Sequence, residues 1–139
     1  MTDRIEIACD GGSRGNPGPA AIGAVVRNLD VDPPVILATV SECIGDTTNN
    51  VAEYRALLAG LEAAAVFGAQ SVRVQADSEL LIRQLQGKYR VKNEGLRPLF
   101  LDAQALLAVY REVELVHVRR EFNRDADALV NAALDASGS

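Results

Sequence analysis

The chain has 139 residues, of which 48% are hydrophobic and 24% are charged, and its formal net charge is -5. These proportions are those of an ordinary soluble globular domain with a real core. The longest apolar run, residues 56–69, contains Glu62 and two glycines and is too short to span a bilayer. No secretion signal is visible. We expect one monomeric domain over residues 1–136, no membrane association, and a polar tail or linker start at 137–139.

The cysteines and the charge pattern bound the setting and the partners. Cys9 and Cys43 form neither a disulfide framework nor a metal-ligand spacing, which favours a reducing, cytoplasmic setting. The acidic balance alone argues against nucleic acid, because phosphate binding usually requires a basic excess. A local basic strip offsets that balance, and it consists of Arg83, Lys88, Arg90, Lys92 and Arg97. The strip is either a phosphate-binding surface or a solvated helix–loop surface.

The first third of the chain predicts three strands. Residues 4–10 alternate, with Ile5, Ile7 and Cys9 on one side, as a strand does. A turn rich in glycine and proline follows, and residues 20–28 and 35–44 form two further apolar stretches of strand type. Their short connections indicate an antiparallel meander.

The rest of the chain alternates between helix and strand. A helix is expected from Asn49 or Asn50 to about Phe67, with Gly68 ending it. Strands are expected at 71–76 and 112–118, helices at 78–86, 96–110 and 123–136, and a basic loop at 88–95. Such alternation is typical of parallel strands with crossover helices. We therefore predict an α/β fold with a mixed five-stranded sheet flanked by helices, antiparallel in its first three strands and parallel among the first, fourth and fifth.

Two aspartates follow strands that we expect to be neighbours. Asp10 ends the first strand and Asp77 ends the fourth, and ligands of α/β sheets gather at the carboxyl ends of parallel strands. Each residue also has a purely local explanation. Asp10 can bond within its own turn, and Asp77 can cap the following helix.

Acids near two helix starts extend this group. Glu53 lies above a stripe of small apolar positions, so its carboxylate stands at the mouth of a buried face and needs a cation or hydrogen-bond donors. Asp125 and Asp127 both fall in the first turn of the last helix, and periodicity does not choose between them. Gathered carboxylates repel one another unless compensated, and oxygen ligands suit Mg²⁺ or Mn²⁺. The single histidine, His117, gives little support to zinc chemistry or a catalytic triad.

Four segments in order resemble type 1 ribonuclease H and together cover nearly the whole chain. They are DGGSRGNPGPAAIGAVV, TTNNVAEYRALLAGLEAA, VQADSELLIRQL and HVRREFNRDADAL. The resemblance implies the ribonuclease H fold and cleavage of the RNA strand of RNA–DNA hybrids, leaving 3'-hydroxyl and 5'-phosphate ends. It also implies a site with two Mg²⁺ ions, or Mn²⁺, held by Asp10, Glu53, Asp77 and Asp127. The family spacing of an asparagine four residues before the aspartate selects Asp127.

The resemblance further implies individual roles. Asp10 bridges both ions, with Asp77 and Glu53 on the leaving-group side and Asp127 on the water side. Substrate contacts fall on Asn16, Asn49 and Asn50, which line the minor groove, on the backbone of Gly11 and Gly12 near the RNA, and on Thr48, which is placed for a DNA phosphate. The asparagines can also serve as turn and cap residues.

The chain departs from its relatives in two places. Arg120 stands where many relatives carry a loop histidine, and it can act through phosphate attraction but not as a base. The segment GKYRVKNEGLRP is too short for the extra basic helix of some bacterial members, which leaves Lys88, Arg90 and Lys92 for a weaker grip. Two other functions stay open: a non-catalytic nucleic-acid-binding module on the same fold, and a DNA-processing relative.

Overall fold

A computed structural model describes residues 2–138, and Ser139 of the predicted tail lies outside the described residues. The strands are β1 (Arg4–Ser13), β2 (Gly18–Asn28), β3 (Val35–Thr47), β4 (Ser71–Ala76) and β5 (Glu112–His117). The α-helices are α1 (Asn49–Ala64), α2 (Glu79–Leu85), α3 (Arg97–Leu107) and α4 (Arg124–Ala136). Single 3-10 turns follow α1 at Ala65–Phe67 and precede α4 at Arg120–Phe122.

The strands form one mixed sheet in the order β3-β2-β1-β4-β5. β1 pairs antiparallel with β2, and β2 pairs antiparallel with β3. β4 pairs parallel with both β1 and β5. The predicted fold class is therefore confirmed. Within the described residues, no helix is long and apolar enough to cross a membrane.

The main core lies between the sheet and α1. Ile5 and Ile7 of β1 are completely buried, as their alternation predicts, and they pack in one cluster with Leu57 and Leu61 of α1. α1 contacts the sheet and also α3, which explains why its apolar positions run around the helix. A smaller cluster on the other side of the sheet contains Ala21, Val130 and Leu134 and attaches α4.

β1 extends further than its sequence predicts. The expected turn after Asp10 is still strand, because antiparallel pairing with β2 continues to Ser13 opposite Ala20. The parallel pairing of β1 with β4 ends earlier, at Cys9 opposite Ala76. Asp10 is thus within a strand and not at its end, yet it still follows the last parallel pair.

The other predicted boundaries shift slightly. β2 begins at Gly18, β3 continues to Thr47, β5 ends at His117 and α3 is limited to Arg97–Leu107. α1 begins at Asn49, as predicted, and its cap is Thr48, whose hydroxyl accepts a hydrogen bond from the Val51 amide at 3.3 Å. Gly68 ends the turn that follows α1, as predicted.

Two glycines allow helices to approach the sheet closely enough to position acids. A Cβ on Gly11 would collide with the Ala52 carbonyl group and crowd the Glu53 amide of α1. A Cβ on Gly23 would collide with the Ala126 carbonyl oxygen of α4. Since Glu53 and Asp127 follow these contact points directly, the close approach brings both towards β1.

Candidate active site

One open trench, about 300 Å³ in volume, is lined by all four predicted carboxylates. Asp10 comes from β1, Asp77 from the residue after β4, Glu53 from α1 and Asp127 from α4. Gly11 and Gly12, whose backbone is predicted to contact substrate, also line the trench. The structure therefore brings together acids that are separated by up to 117 positions in the sequence.

Burial and mutual repulsion raise the pKa of three of these carboxyl groups. The pKa of Asp10 rises from 3.8 to about 8, mainly because the group is buried, and then because Asp77, Asp127 and Glu53 lie nearby. Burial likewise raises the pKa of Glu53 to about 7, with a Ser78 hydrogen bond opposing the shift and Asp77 adding to it. Such shifts mark a site where negative charge is under-compensated.

The third carboxyl group has a cation beside it. Burial raises the pKa of Asp77, and the Arg120 guanidinium opposes that rise. Arg120 also donates to the Asp127 Oδ1 atom at 3.2 Å, although its side chain is 75% exposed. Arg120 thus lies at the carboxylates, where the sequence resemblance places it.

Asp125 and Asp127 point to different places. Asp125 accepts a hydrogen bond from Arg27 on β2 and does not line the trench. The Asp127 carboxylate accepts a hydrogen bond from Arg120, and its Oδ2 atom lies 3.5 Å from the side-chain nitrogen Nδ2 of Asn131. The structure therefore puts the aspartate selected by the family spacing beside the other acids.

Asn123 attaches the start of α4 to β1. Its side chain is buried and its Nδ2 donates to the Cys9 carbonyl oxygen, at the residue before Asp10, at 3.0 Å. The backbone carbonyl oxygen of Asn123 accepts a hydrogen bond from the Asp127 backbone amide at 3.1 Å. One residue therefore sets the spacing between the strand carrying Asp10 and the helix carrying Asp127.

The ligand atoms that the trench offers are of the kind that hard divalent cations prefer. All four acidic groups offer oxygen ligands, which Mg²⁺ and Mn²⁺ prefer. Within residues 2–138, however, no three His, Cys, Asp or Glu side chains form a closed group that could hold a metal ion. The trench supplies candidate ligands around an opening and not a finished coordination shell.

The predicted asparagines brace the turn against α1. The Asn16 Oδ1 atom accepts from the Asn49 amide at 3.1 Å. The Asn49 Oδ1 atom accepts from the Ser13 amide at 2.8 Å and from its hydroxyl at 3.1 Å. Asn49 lines the trench, whereas Asn16, Asn50 and the capping Thr48 do not. Asn16 and Asn50 are exposed to solvent just outside it.

The basic loop lies apart from the carboxylates. Lys88, Arg90 and Lys92 are exposed and do not line the trench, and the buried Val91 attaches the loop to the core. Along the described chain, no helix forms between Leu85 and Arg97, as predicted. None of these three cations forms an ion pair among the described residues.

Sequence reasoning missed three polar residues that line the trench, Ser13, Arg14 and Asn131. Asn131 could have been found, because it lies four residues after Asp127 and therefore on the same face of α4. Arg14 had no such signal, since it lies in an irregular turn. It contacts α4 through Asp135, 121 positions away.

Solved structures of other proteins share this architecture. Ribonuclease H1 of Halobacterium salinarum superposes with a TM-score of 0.89 at 43% identity, covering 96% of this chain and 98% of that one. LC11 ribonuclease H1, solved in complex with an RNA/DNA hybrid, superposes with a TM-score of 0.88 at 43% identity, covering 97% and 99%. The fold is that of a ribonuclease H-like α/β domain.

Sequence comparison agrees. A family model described as reverse transcriptase-like matches residues 8–133. A bifunctional protein of Mycobacterium tuberculosis is 46% identical over 134 residues, which are 96% of this chain and 36% of that protein. The chain thus spans about a third of this relative. The chain belongs to the type 1 ribonuclease H family.

Proposed function

We propose that the chain is a metal-dependent endonuclease that hydrolyses the RNA strand of RNA–DNA hybrids and leaves 3'-hydroxyl and 5'-phosphate ends. The observation that carries the proposal is the convergence of Asp10, Glu53, Asp77 and Asp127 in one trench. Carboxylates that are buried together without enough cations destabilise a fold. Bound metal ions would remove that repulsion, so the cluster fits a cation-binding site. The LC11 relative bound to an RNA/DNA hybrid supports the choice of substrate.

Two Mg²⁺ ions, or Mn²⁺, would supply an activated water and stabilise the departing 3' oxygen. Asp10 interacts with all three of the other acids, Asp77, Asp127 and Glu53. It is therefore the residue that would help to hold both ions. Glu53 and Asp77 would hold the leaving-group side, and Asp127 the water side. Ser78 restrains the Glu53 carboxylate through its hydrogen bond while its hydroxyl caps α2.

Substrate recognition would combine shape with contacts to the 2'-hydroxyl. The wide minor groove of an A-like duplex exposes the 2'-hydroxyls that distinguish RNA from DNA. Gly11 and Gly12 present backbone beside the carboxylates, and Asn49 lines the same trench. Asn16 and Asn50 are exposed next to it and would follow the groove, with Thr48 near a DNA phosphate.

Cations would hold the duplex on either side of the cut. Arg120 would attract the scissile phosphate while staying protonated, so its contribution is electrostatic and not that of a base. Lys88, Arg90 and Lys92 have no acidic partner among the described residues and would bind phosphates further along the hybrid. Because no basic helix supports them in the part of the chain that the structure describes, this grip should be salt-sensitive.

A labelled-substrate panel tests the proposal. RNA–DNA, RNA–RNA and DNA–DNA duplexes of one sequence are incubated with the protein and Mg²⁺, Mn²⁺ or chelator. We expect RNA-strand cleavage of the hybrid only, dependent on cation. Binding without cleavage under all conditions would favour a non-catalytic module, and cutting of the DNA duplex would favour a DNA-processing enzyme.

The setting and organisation are proposed as well. Two free cysteines, one of them buried, are consistent with a reducing cytoplasmic location. We also propose that residues 1–136 act as a single monomeric domain. Gel filtration with light scattering at several concentrations tests the monomer, and a mass that rises with concentration would contradict it.

A further inference from the structure

We propose that Arg14 forms a phosphate subsite for the RNA strand, next to the position of the bond that is cut. The inference rests on the proposed function and adds a substrate contact that the acids themselves cannot provide. Arg14 and Arg120 are the only lysine or arginine residues among those that line the described trench. They lie on different elements, Arg14 in the turn between β1 and β2 and Arg120 before α4.

The trench extends from the carboxylates to Arg14 along α4. Gly12 and Ser13 line one side, and Val130, Asn131 and Leu134 line the other. Val130 and Leu134 are largely buried, with exposures of 5% and 3%, and both line the trench. Because the trench is continuous with the acids, a strand with its scissile phosphate at Asp10 would pass along it towards Arg14.

The backbone around Arg14 is held in place. The Arg14 amide donates to the Pro19 carbonyl oxygen at 2.8 Å, and the preceding Ser13 amide donates to Asn49 at 2.8 Å. The turn is therefore fixed to both β2 and α1. A fixed turn lowers the entropic cost of placing the guanidinium group against a phosphate.

Asp135 holds the Arg14 side chain across the end of the trench. The Arg14 Nη2 atom lies 2.7 Å from the Asp135 Oδ1 atom, and the two side chains are 39% and 70% exposed. An exposed ion pair of this kind contributes little stability, so exchanging Asp135 for a phosphate costs little. A guanidinium group can also bind a phosphate through two parallel hydrogen bonds.

Charge balance explains why a cation is needed here. Two divalent ions would offset the four acids at the cut itself, but the neighbouring hybrid phosphates keep their negative charge and need a cation of their own. Arg120, beside Asp77 and Asp127, would serve the scissile phosphate. Arg14 is the residue placed to serve a neighbouring one.

Binding measurements in the Asp10→Asn background separate this contact from cleavage. Fluorescence anisotropy with a short labelled RNA–DNA hybrid is recorded over a salt series for the parent and for Arg14→Ala, Arg14→Lys and Asp135→Asn. We expect Arg14→Ala to weaken binding about threefold to tenfold and to lower the salt slope by about one, as loss of one phosphate contact does. Arg14→Lys should keep most of the slope.

The Asp135 variant distinguishes a substrate contact from a structural brace. If Arg14 binds phosphate, Asp135→Asn leaves binding unchanged or tightens it, because the guanidinium group loses a competitor. Equal losses in Arg14→Ala and Asp135→Asn, or no loss in Arg14→Ala, would overturn the subsite. Arg4→Ala is the matched control, since its partner Asp30 lies away from the trench.

A modified substrate locates the contact. Hybrids are prepared in which one RNA-strand phosphate at a time is a neutral methylphosphonate, and each is bound to the parent and to Arg14→Ala. The effect of Arg14→Ala should disappear for one linkage near the cut, and persistence at every linkage would contradict the subsite. Failure of the Asp10→Asn parent to bind any hybrid would instead overturn the proposed function and the subsite together.

Discussion

Two clusters of charge lie on the same sheet and are balanced in opposite ways. At one, Glu6 of β1 is nearly buried and accepts hydrogen bonds from Arg27 at 2.9 Å and Arg73 at 3.2 Å. At the other, Asp10 lies four residues further along β1 among three more acids, with Arg120 as the nearby cation. The first cluster satisfies its buried charge, whereas the second leaves negative charge available for a ligand.

This contrast follows from strand register. Glu6 stands directly opposite Arg27 on β2 and Arg73 on β4, so each carboxylate oxygen has its own guanidinium group. Asp10 stands opposite Gly23 and beyond the last parallel pair, so neither neighbouring strand places an arginine opposite it as both do for Glu6. We expect substitutions at the two positions to have opposite effects on stability and on activity.

The largest expected effect is on cleavage. Asp10→Asn removes the carboxylate placed among the other three and should lower hybrid cleavage on the order of 10³-fold or more, because electrostatic stabilisation of a transition state is commonly worth that much. Hybrid binding should persist. A gel assay with labelled hybrid measures the rate, and cleavage at the wild-type rate would refute the metal assignment.

The second effect is on folding. Glu6→Gln leaves Arg27 and Arg73 with only their exposed partners, Asp125 and Glu114, and should lower the free energy of unfolding by about 2 kcal/mol, while hybrid cleavage is retained. Urea denaturation measures the change. Glu114→Gln is the control, since Glu114 is 61% exposed beside the same Arg73, and it should cost about 0.5 kcal/mol or less. Equal costs at both positions would contradict the account of the Glu6 cluster.

The third effect is a pH dependence in the protein without bound metal. Asp10 has a pKa of 3.8 when unfolded and about 8 when folded, so the folded state holds the extra proton between these values. Stability should therefore fall as the pH rises from about 4 to about 8. Glu53 adds to this fall between 4.5 and about 7.

The Asp10→Asn variant sharpens this third prediction. It removes the titrating group, so its melting temperature in chelator should exceed that of the wild type at pH 7 and should vary less with pH. Thermal melts followed by circular dichroism across that range provide the measurement. A variant less stable than the wild type at every pH would show that Asp10 is structural, like Glu6.

The smallest effect is expected at Arg120. Arg120→Ala removes a cation beside Asp77 and Asp127 and should reduce cleavage about threefold to tenfold, mainly through KM, because one exposed charge contact to the substrate is lost. Arg119→Ala is the control, since the Arg119 side chain is 81% exposed, forms only a long ion pair of 3.9 Å with Glu121 and does not line the trench. Equal activity in the two variants would remove Arg120 from the site.

Much of the site was predictable because it follows from topology. Asp10 and Asp77 directly follow the last parallel pair of the neighbouring strands β1 and β4, and Glu53 lies above a small apolar stripe on α1. Their convergence could therefore be predicted from the sequence. Asp125 and Asp127 could not be separated by periodicity, because the deciding feature is the pairing of Asp125 with Arg27 on a distant strand.

The remaining features depend on contacts that are distant in the sequence. The extension of β1 to Ser13 reflects antiparallel pairing through residues whose composition favours a turn. The Glu6 cluster needs the register of three strands, and the Arg14–Asp135 pair joins the two ends of the chain. Local sequence carries no signal for either.

Cation binding is the most direct test of the claim that these four carboxylates share divalent ions. Calorimetric titration of Mn²⁺ at pH 7, repeated in buffers of different ionisation enthalpy, reports both binding and proton release. We expect binding accompanied by loss of the proton held by Asp10, and much weaker binding with no such proton release in Asp10→Asn. Equal binding by the two proteins, or none by the wild type, would contradict the account.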